Sequence, residues 1–374
     1  AAELAIPVHK LSQTIIRTGC WPSVWRLHRL VPLHKKQSRH LRKNYRAIHL
    51  TAHLSKVVER IVGQCMEPYI VARCLFGPSQ WAYQRRKGAR DALAYLTALW
   101  LLAMANGKKI VLYNADVAGA FYRVRRSRLL QKLRAKGLHG NLIAILAAWL
   151  DTRRAHVVVG GSASTEFLLE NMVYQGTVLG PCLWNLFYAD VKEACARAGF
   201  QETFCAYDLN AFLEAPSSVC NIELLGMATQ CQSQVHRWGD ANGATFEPTK
   251  ESLHILSRSD PWGESFLLLG ITYDPKLTME EEVRKLVAEC AWKATQLLRA
   301  SRFYDAEQII LLCKQQILSY LEYRTSAIYH AADTILAPLD AVQTRVLREL
   351  VMSEVEALVL FRLAPLKTRR DIGM

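Results

Sequence analysis

The chain of 374 residues contains ten cysteines, at 20, 65, 74, 182, 195, 205, 220, 231, 290 and 313, yet no Cys-x-x-Cys pair. That absence excludes a zinc ribbon and a dithiol redox motif, and thiols scattered in this way fit a reduced, intracellular protein. Long apolar runs are missing as well. The longest, Leu93 to Ala105, is interrupted by Thr97 and stops at Asn106-Gly107. It falls short of the roughly 18–20 residues that a membrane span requires, so a buried helix and no membrane contact are expected there. Internal repeats and low-complexity linkers are absent, and with about half of its residues apolar the chain can bury a substantial core. Neither a methionine nor a charged-then-apolar leader opens the sequence at Ala1. The expectation is a fragment of a longer polyprotein without a secretory signal.

Acidic residues are scarce relative to basic ones, 33 against 47, for a net charge of +14. The imbalance is local. Glu3 and Glu59 are the only acids among the first 60 residues, which hold twelve lysines and arginines. Two further basic clusters are Arg85-Arg86-Lys87 with Arg90, and the run from Arg123 to Lys136. A field concentrated in this way favours a polyanionic partner, because each phosphate neutralised releases counterions. For any single cluster a solvated helix face is the alternative.

Periodicity outlines the organisation. Leu11, Ile15 and Ile16 mark an amphipathic helix, Trp21-Pro22 a break, and Leu30-Val31-Pro32-Leu33 an extended segment. Tyr45-Arg46-Ala47-Ile48 reads as a strand leading into a helix with Leu54, Val57, Val58, Ile61 and Val62 on its inner face. Asp91 to Ala105 is a second helix, closed by Asn106-Gly107. Beyond Lys108 the signal alternates between strand and helix. His156–Val159 and Phe167–Leu169 flank Gly160-Gly161 as a hairpin, Leu183 to Ala198 is helical, and a second hairpin occupies 203–213. A helix from about Ile222 to Trp238 and short strands at Ser252–Leu256 and Phe266–Leu269 follow, and from Met279 to Leu350 the pattern is helical. The order implies an α+β protein with three regions, a basic one at 1–107, a mixed one at 108–275 and a helical one at 276–374.

Three segments carry chemistry. An apolar strand, Lys109 to Tyr113, runs into Asn114-Ala115-Asp116-Val117-Ala118-Gly119-Ala120-Phe121. Alone, Asp116 would be an ordinary turn or helix-cap residue. Tyr174-Gln175-Gly176-Thr177-Val178-Leu179-Gly180-Pro181-Cys182-Leu183-Trp184-Asn185-Leu186 is a loop entering a helix, whose glycines permit close backbone approach to a nucleotide. Phe204-Cys205-Ala206-Tyr207-Asp208-Leu209-Asn210-Ala211-Phe212 places two apolar arms around a tight turn. Nucleotidyl transfer uses two Mg²⁺ ions about 3.5–4 Å apart, and Mg²⁺ requires hard oxygen ligands delivered from separate elements. Asp116 at a strand end and Asp208 on a neighbouring hairpin turn could deliver such oxygens to one point. His49 and His53 lack a completing ligand and are not expected to bind metal.

In this order and spacing the three segments resemble the palm of reverse transcriptases from non-LTR (LINE-type) retrotransposons, and the likeness covers nearly the whole chain. Asn44-Tyr45-Arg46-Ala47-Ile48 resembles a finger motif of that family, with alanine for its proline, while Gln80-Trp81-Ala82-Tyr83-Gln84 and Arg90-Asp91-Ala92-Leu93 match the next block. Phe266-Leu267-Leu268-Leu269-Gly270-Ile271 resembles the primer-grip hairpin, and Glu322-Tyr323 the thumb. The resemblance implies a right-hand polymerase fold with fingers (1–107), an antiparallel-sheet palm (108–275) and a helical thumb (276–374). It also implies RNA-directed DNA polymerase chemistry, an RNA template, a DNA primer, dNTP, two Mg²⁺ ions, an upstream endonuclease domain, and residence in the nucleus or a cytoplasmic ribonucleoprotein. By the same resemblance, Asp116, the Val117 carbonyl and Asp208 are metal ligands. Lys35 or Lys36 and Arg46 would hold the triphosphate, Phe121 would exclude a 2′-hydroxyl, and Gln175 with Gly176 would line the nucleotide pocket. Lys250 would protonate leaving pyrophosphate, and Arg85, Arg86, Lys87, Arg90, Leu269 and Gly270 would contact nucleic acid.

The pattern breaks at Tyr207, where the family has the first of two adjacent aspartates, and at Tyr122, where related elements usually have aspartate. A phenol is neutral at pH 7 and a poor ligand for Mg²⁺, and its ring is larger than the carboxylate it replaces. Both changes are Asp to Tyr, as in the decay of an inactive genomic copy. The expectation is a reverse-transcriptase fold with little or no polymerase activity. The competing readings are a nucleic-acid-binding scaffold without catalysis and, less compatible with the charge, a helical adaptor for protein partners.

Overall fold

A computed structural model of the chain describes residues 2–35 and 37–373. Helix α1 (Ala2–Thr18) turns Ser12 and Ile15 inward, and after it Trp21 and Trp25 meet edge to face at 5.4 Å. Strands β1 (Leu27–His34) and β2 (Tyr45–Leu50) pair antiparallel, with Val31 opposite Ile48 and Leu33 opposite Arg46. Helix α2 (His53–Ala72) follows, and its buried face is Ser55, Val58, Glu59, Val62, Met66 and Ile70. This corrects the expected face. Leu54 and Val57 are exposed and Ile61 is half-buried, because the helix is rotated to bring the Glu59 carboxylate inward, where it is used.

Helix α3 (Ala89–Ala105) ends at Asn106-Gly107 as expected and feeds β3 (Lys108–Asp116). Helices α4 (Arg126–Ala135) and α5 (Gly140–Trp149) lead to β4 (Arg153–Val159), which turns at Gly160-Gly161 into β5 (Ser162–Ala163) and then β6 (Phe167–Leu169). The expected hairpin forms, but its return strand is divided. Val158 faces Ala163 whereas Ala155 faces Phe167, so one extra residue is accommodated between β5 and β6. Next come α6 (Leu179–Tyr188), α7 (Lys192–Arg197), the hairpin β7 (Gln201–Cys205) and β8 (Asp208–Pro216), and α8 (Asn221–Asn242). Strand β9 (Ser252–Leu256) and the hairpin β10 (Phe266–Leu268) and β11 (Ile271–Tyr273) complete the strands. The remainder is helical, as its pattern predicts: α9 (Glu280–Ala300), α10 (Ala306–Cys313), α11 (Ser319–Ile328), α12 (Asp333–Glu349), α13 (Glu354–Phe361) and α14 (Leu366–Ile372).

The chain divides into two compact units, one of residues 1–85, 114–211 and 230–251, the other of residues 86–113, 212–229 and 252–374. Fingers, palm and thumb are divisions by role, and their boundaries at 107 and 275 belong to the functional proposal below. In the first unit the sheet runs β2-β1-β4-β5 with β6 also on β4, and β1 pairs β4 in parallel. The order β7-β8-β3-β9 gives the second sheet, and β3 and β8 each begin in one unit and continue in the other. Aromatic packing dominates the first unit's interior: Trp184 stacks on Phe121 and on Tyr188, whose ring meets Phe204 edge-on. In the second unit a core built from Trp100, Phe266, Tyr273 and the apolar faces of α3, α9, α11 and α12 holds the β10–β11 hairpin. No helix among the described residues is long and apolar enough to cross a membrane.

Candidate active site

Backbone pairing within the first unit sets the site. At the end of β3, Asp116 accepts the Glu247 N–H at its carbonyl (2.8 Å), and Ala118 donates to the Thr245 carbonyl (2.8 Å). This short ladder places the turn Pro248–Lys250 so that Lys250 Nζ donates to Asp116 Oδ2. The other oxygen of Asp116 is buried and has no hydrogen-bond partner among the described residues. Opposite, the β7–β8 turn is held in a strained form, with Ala206 in the left-handed region at φ 61. Two side chains clamp it: Gln80 Oε1 accepts the Ala206 N–H at 3.0 Å, and Trp184 Nε1 donates to the Ala206 carbonyl at 2.9 Å. The turn thereby presents Tyr207 and Asp208, and the Val117 N–H reaches the Tyr207 carbonyl at 3.4 Å.

The electrostatics follow from crowding. Burial, then the charge of Asp116, push the Asp208 carboxyl up to about 6, against the pull of Lys250. Tyr207 is also raised by burial, with Arg46 opposing and both carboxylates adding, so the phenol stays neutral at pH 7. Burial alone would lower Lys250, but its hydrogen bond to Asp116 and the nearby negative charges outweigh that and raise it. Arg46, on β2, acts on three phenols, those of Tyr83, Tyr122 and Tyr207. The geometry thus gathers Asp116, Tyr207, Asp208, Lys250 and Arg46.

The loop before α6 is built by close approach. Gly176 has φ 99, and a Cβ there would lie 3.0 Å from the His49 carbonyl. His49 donates its N–H to the Gln175 carbonyl at 2.8 Å. Phe121 is buried, its carbonyl accepting the Val173 N–H at 2.9 Å. Two contributors were not legible as such from sequence. Glu59 Oε2 accepts the N–H groups of Val178 (2.8 Å) and Leu179 (3.3 Å), an anion on the N-terminus of α6. The signal was a single acid within the apolar stretch Val57-Val58-Glu59. Tyr122, read only as a departure, donates to the Ala47 carbonyl at 2.9 Å.

Beneath this loop lies a buried polar cluster. Arg153 is 0% exposed, donates to the Trp149 carbonyl at 2.7 Å and contacts His28 Nε2 at 2.6 Å, while His28 Nδ1 lies 3.0 Å from His49 Nδ1. The guanidinium can only donate, so His28 accepts at Nε2 and donates from Nδ1 to His49, and the His49 proton resides on Nε2. Burial, then the charge of Arg153, lower His28 to about 2 and His49 to about 4.

Of the other expected contacts, Lys35 is exposed just beyond β1, its N–H on the Asn44 carbonyl, and Lys36 lies outside the described residues. Arg85 is paired with Glu67, Arg86 is exposed with φ 57, and Lys87 is half-buried. Arg90 is tied down, donating to the Gly373 carbonyl at 2.5 Å. In the second unit Leu269 (φ 49) and Gly270 (φ 82) form the β10–β11 turn, and Tyr323 donates to the Leu269 carbonyl at 2.7 Å. Glu282 ties the same hairpin down, accepting from the Thr272 N–H (2.9 Å) and from Arg324 (2.8 Å). Tyr323→Phe is expected to lower stability by about 1 kcal/mol through loss of one hydrogen bond, measured by denaturant unfolding.

Among the described residues no group of three His, Cys, Asp or Glu is arranged to hold a metal ion. The unpartnered oxygen of Asp116 and the Asp208 carboxylate, which act on each other electrostatically, are the hard oxygens that would hold one Mg²⁺. They do not fit a pair of ions, for Glu202 is engaged by Ser79 and Glu214 by Lys108.

The family model described as reverse transcriptase (RNA-dependent DNA polymerase) matches residues 33–273. The probable RNA-directed DNA polymerase from transposon BS of Drosophila melanogaster is 27% identical over 301 residues, covering 76% of this chain and 33% of that protein. The RNA-directed DNA polymerase from mobile element jockey of Drosophila funebris is 22% identical over 361 residues, covering 90% and 39%. The chain thus spans about a third of the length of these curated relatives, and its reverse transcriptase domain is similar to non-LTR retrotransposon RNA-directed DNA polymerases. Among solved structures, apo telomerase from Candida tropicalis matches with a TM-score of 0.50 and 10% identity over 93% of this chain and 67% of that one. A form truncated from the C-terminal domain also gives 0.50 at 10% identity, over 72% and 58%. At that identity the likeness speaks for the fold alone, the α+β polymerase fold that the three motifs implied. With the family match running from the end of β1 through β11 and enclosing Asp116, the clamped turn and Lys250, the chain belongs to the reverse transcriptase (RNA-dependent DNA polymerase) family.

Proposed function

We propose that this chain is the polymerase region of a non-LTR retrotransposon protein that binds RNA template and DNA primer but extends the primer weakly or not at all. One observation carries the reading: the clamped turn that sets Asp208 against Asp116 offers a neutral phenol, Tyr207, where a third carboxylate is required. A divalent ion on Asp116, the Val117 carbonyl and Asp208 would supply the Lewis acidity that activates a primer hydroxyl. Lys250 keeps its proton and neutralises Asp116. Arg46 offers a guanidinium fork to phosphate, with Phe121, Gln175 and Gly176 around the sugar and base. Fingers at 1–107, palm at 108–275 and thumb at 276–374, with Arg85, Arg86, Lys87 and Arg90 on the nucleic acid and Leu269 and Gly270 at the primer, are the roles in this reading.

Retention of an RNA–DNA duplex by the chain, together with negligible primer extension in Mg²⁺ and dNTP, is the expected result. Failure to retain the duplex at low salt would remove the proposal. If Arg86 contacts a phosphate, Arg86→Ala weakens the duplex similarly for all sequences and lowers the slope of log K against log salt by about 1. An unchanged slope removes Arg86 from the contact surface.

A further inference from the structure

We infer that Tyr122 is a latch across the nucleotide pocket, a residue that sets nucleotide affinity by closing the site with its own hydroxyl. The inference rests on the reading that Arg46, Phe121 and Gln175 line that pocket. The phenol hydroxyl donates to the Ala47 carbonyl at 2.9 Å and lies 3.4 Å from Gln175 Oε1. Those acceptors belong to separate pieces of chain, β2 and the loop before α6, which the main chain already joins through the His49 N–H and the Gln175 carbonyl at 2.8 Å. The ring adds a side-chain tie to that junction, and it does so at the surface, 39% exposed, rather than in the core. Arg46, one residue before Ala47, is near enough to act electrostatically on the same phenol.

The consequence is competitive. The phenol's one proton goes to the Ala47 carbonyl, and that bond holds the phenol oxygen 3.4 Å from the Gln175 amide oxygen, so a nucleotide that uses Gln175 must first break the Ala47 bond to move the ring aside, and its affinity falls by the cost of that break. An aspartate at 122 could not make the latch, because an ionised carboxylate has no proton to donate to the Ala47 carbonyl.

The test uses the whole chain on an RNA template annealed to a dideoxy-terminated DNA primer, with Mg²⁺, and follows a fluorophore-labelled complementary dNTP by anisotropy. Tyr122→Phe keeps the ring and loses the hydroxyl, and is expected to tighten the complementary nucleotide roughly three- to tenfold, the range for one hydrogen bond, while a mismatched dNTP gains nothing. Tyr122→Asp carries the same expectation and guards against the phenylalanine ring refilling the space. Both are measured in the parent and in the Tyr207→Asp background. Unchanged or weaker nucleotide binding in both variants overturns the latch, since weaker binding would make the hydroxyl a nucleotide contact. Duplex retention, read in the same samples, separates the two levels. If the duplex is lost, the reverse-transcriptase reading fails and the latch with it, whereas a retained duplex with no gain in nucleotide overturns the latch alone.

Discussion

Tyr207→Asp is expected to raise RNA-templated primer extension by about 10²–10³, the effect of restoring a single preorganised charge in an enzyme site. The parent side chain cannot supply that charge. Burial raises the phenol, and the Asp208 and Asp116 carboxylates raise it further against the pull of Arg46. The replacement also has a cost. Asp208 already sits at about 6, through burial and the charge of Asp116. A second carboxylate on the clamped turn, the third of the site, adds repulsion that a cation must offset. The variant should therefore unfold more easily than the parent in chelator and be stabilised by Mg²⁺ much more than the parent, because ligand binding to the folded state adds RT ln(1 + [L]/Kd). Extension assays and thermal unfolding with and without Mg²⁺ read both effects. Equal extension by parent and variant would show that position 207 is not at the metal. No extension, even at high dNTP, by a variant that still holds duplex would favour the scaffold reading.

Lowering the pH from 6.5 to 4 is expected to remove on the order of 3 kcal/mol of stability for each histidine of the His28–His49 pair. The sign follows from the direction of the shifts. Both folded values lie below the 6.5 of an ordinary histidine, at about 2 and about 4. Their contribution is fully present above pH 6.5 and is lost as pH falls through the folded values. The cause is physical: the chain of donation from Arg153 through His28 to His49 requires both rings neutral, and a protonated ring would stand against a guanidinium with no carboxylate in hydrogen-bond contact among the described residues. Asp208 works in the opposite sense, since its raised value makes the fold gain stability as pH falls from about 6 toward 3.8. The whole curve therefore mixes the two, and the histidines are isolated by difference. In denaturant unfolding the advantage of the parent over a His28→Gln/His49→Gln variant should shrink steadily between pH 6.5 and 4. Parallel curves would show that the pair does not stay neutral in the fold. Because the His49 N–H holds the Gln175 carbonyl, duplex and nucleotide binding should weaken over the same window.

Much of the architecture was legible. The α3 helix and its Asn106-Gly107 stop, β3 ending at Asp116, the β7–β8 hairpin and the helical run after Met279 all carry period or turn signals within contiguous residues. One expectation failed, and the roles of two side chains stay open. The inner face of α2 was misassigned because hydrophobicity alone pushes Glu59 outward, whereas the unsatisfied N–H groups of Val178 and Leu179 draw it in. Lys250 was expected to act on pyrophosphate, and the structure pairs it with Asp116, a contact consistent with that role only if the pair opens. Arg90, expected at nucleic acid, spends a guanidinium nitrogen on the Gly373 carbonyl.

What the amino-acid sequence determined by itself is the order of the motifs, the basic excess and the identity of the side chain at 207. Those properties live in single residues or in short periodic runs, and no folding is needed to read them. Only the tertiary structure decided which groups meet: Lys250 with Asp116 across 134 residues, Glu59 with Val178 across 119, and Tyr122 with Ala47 across 75. A hydrogen bond forms over about 3 Å and depends on direction, so partners that distant in sequence are set by packing and strand register, which no local pattern encodes.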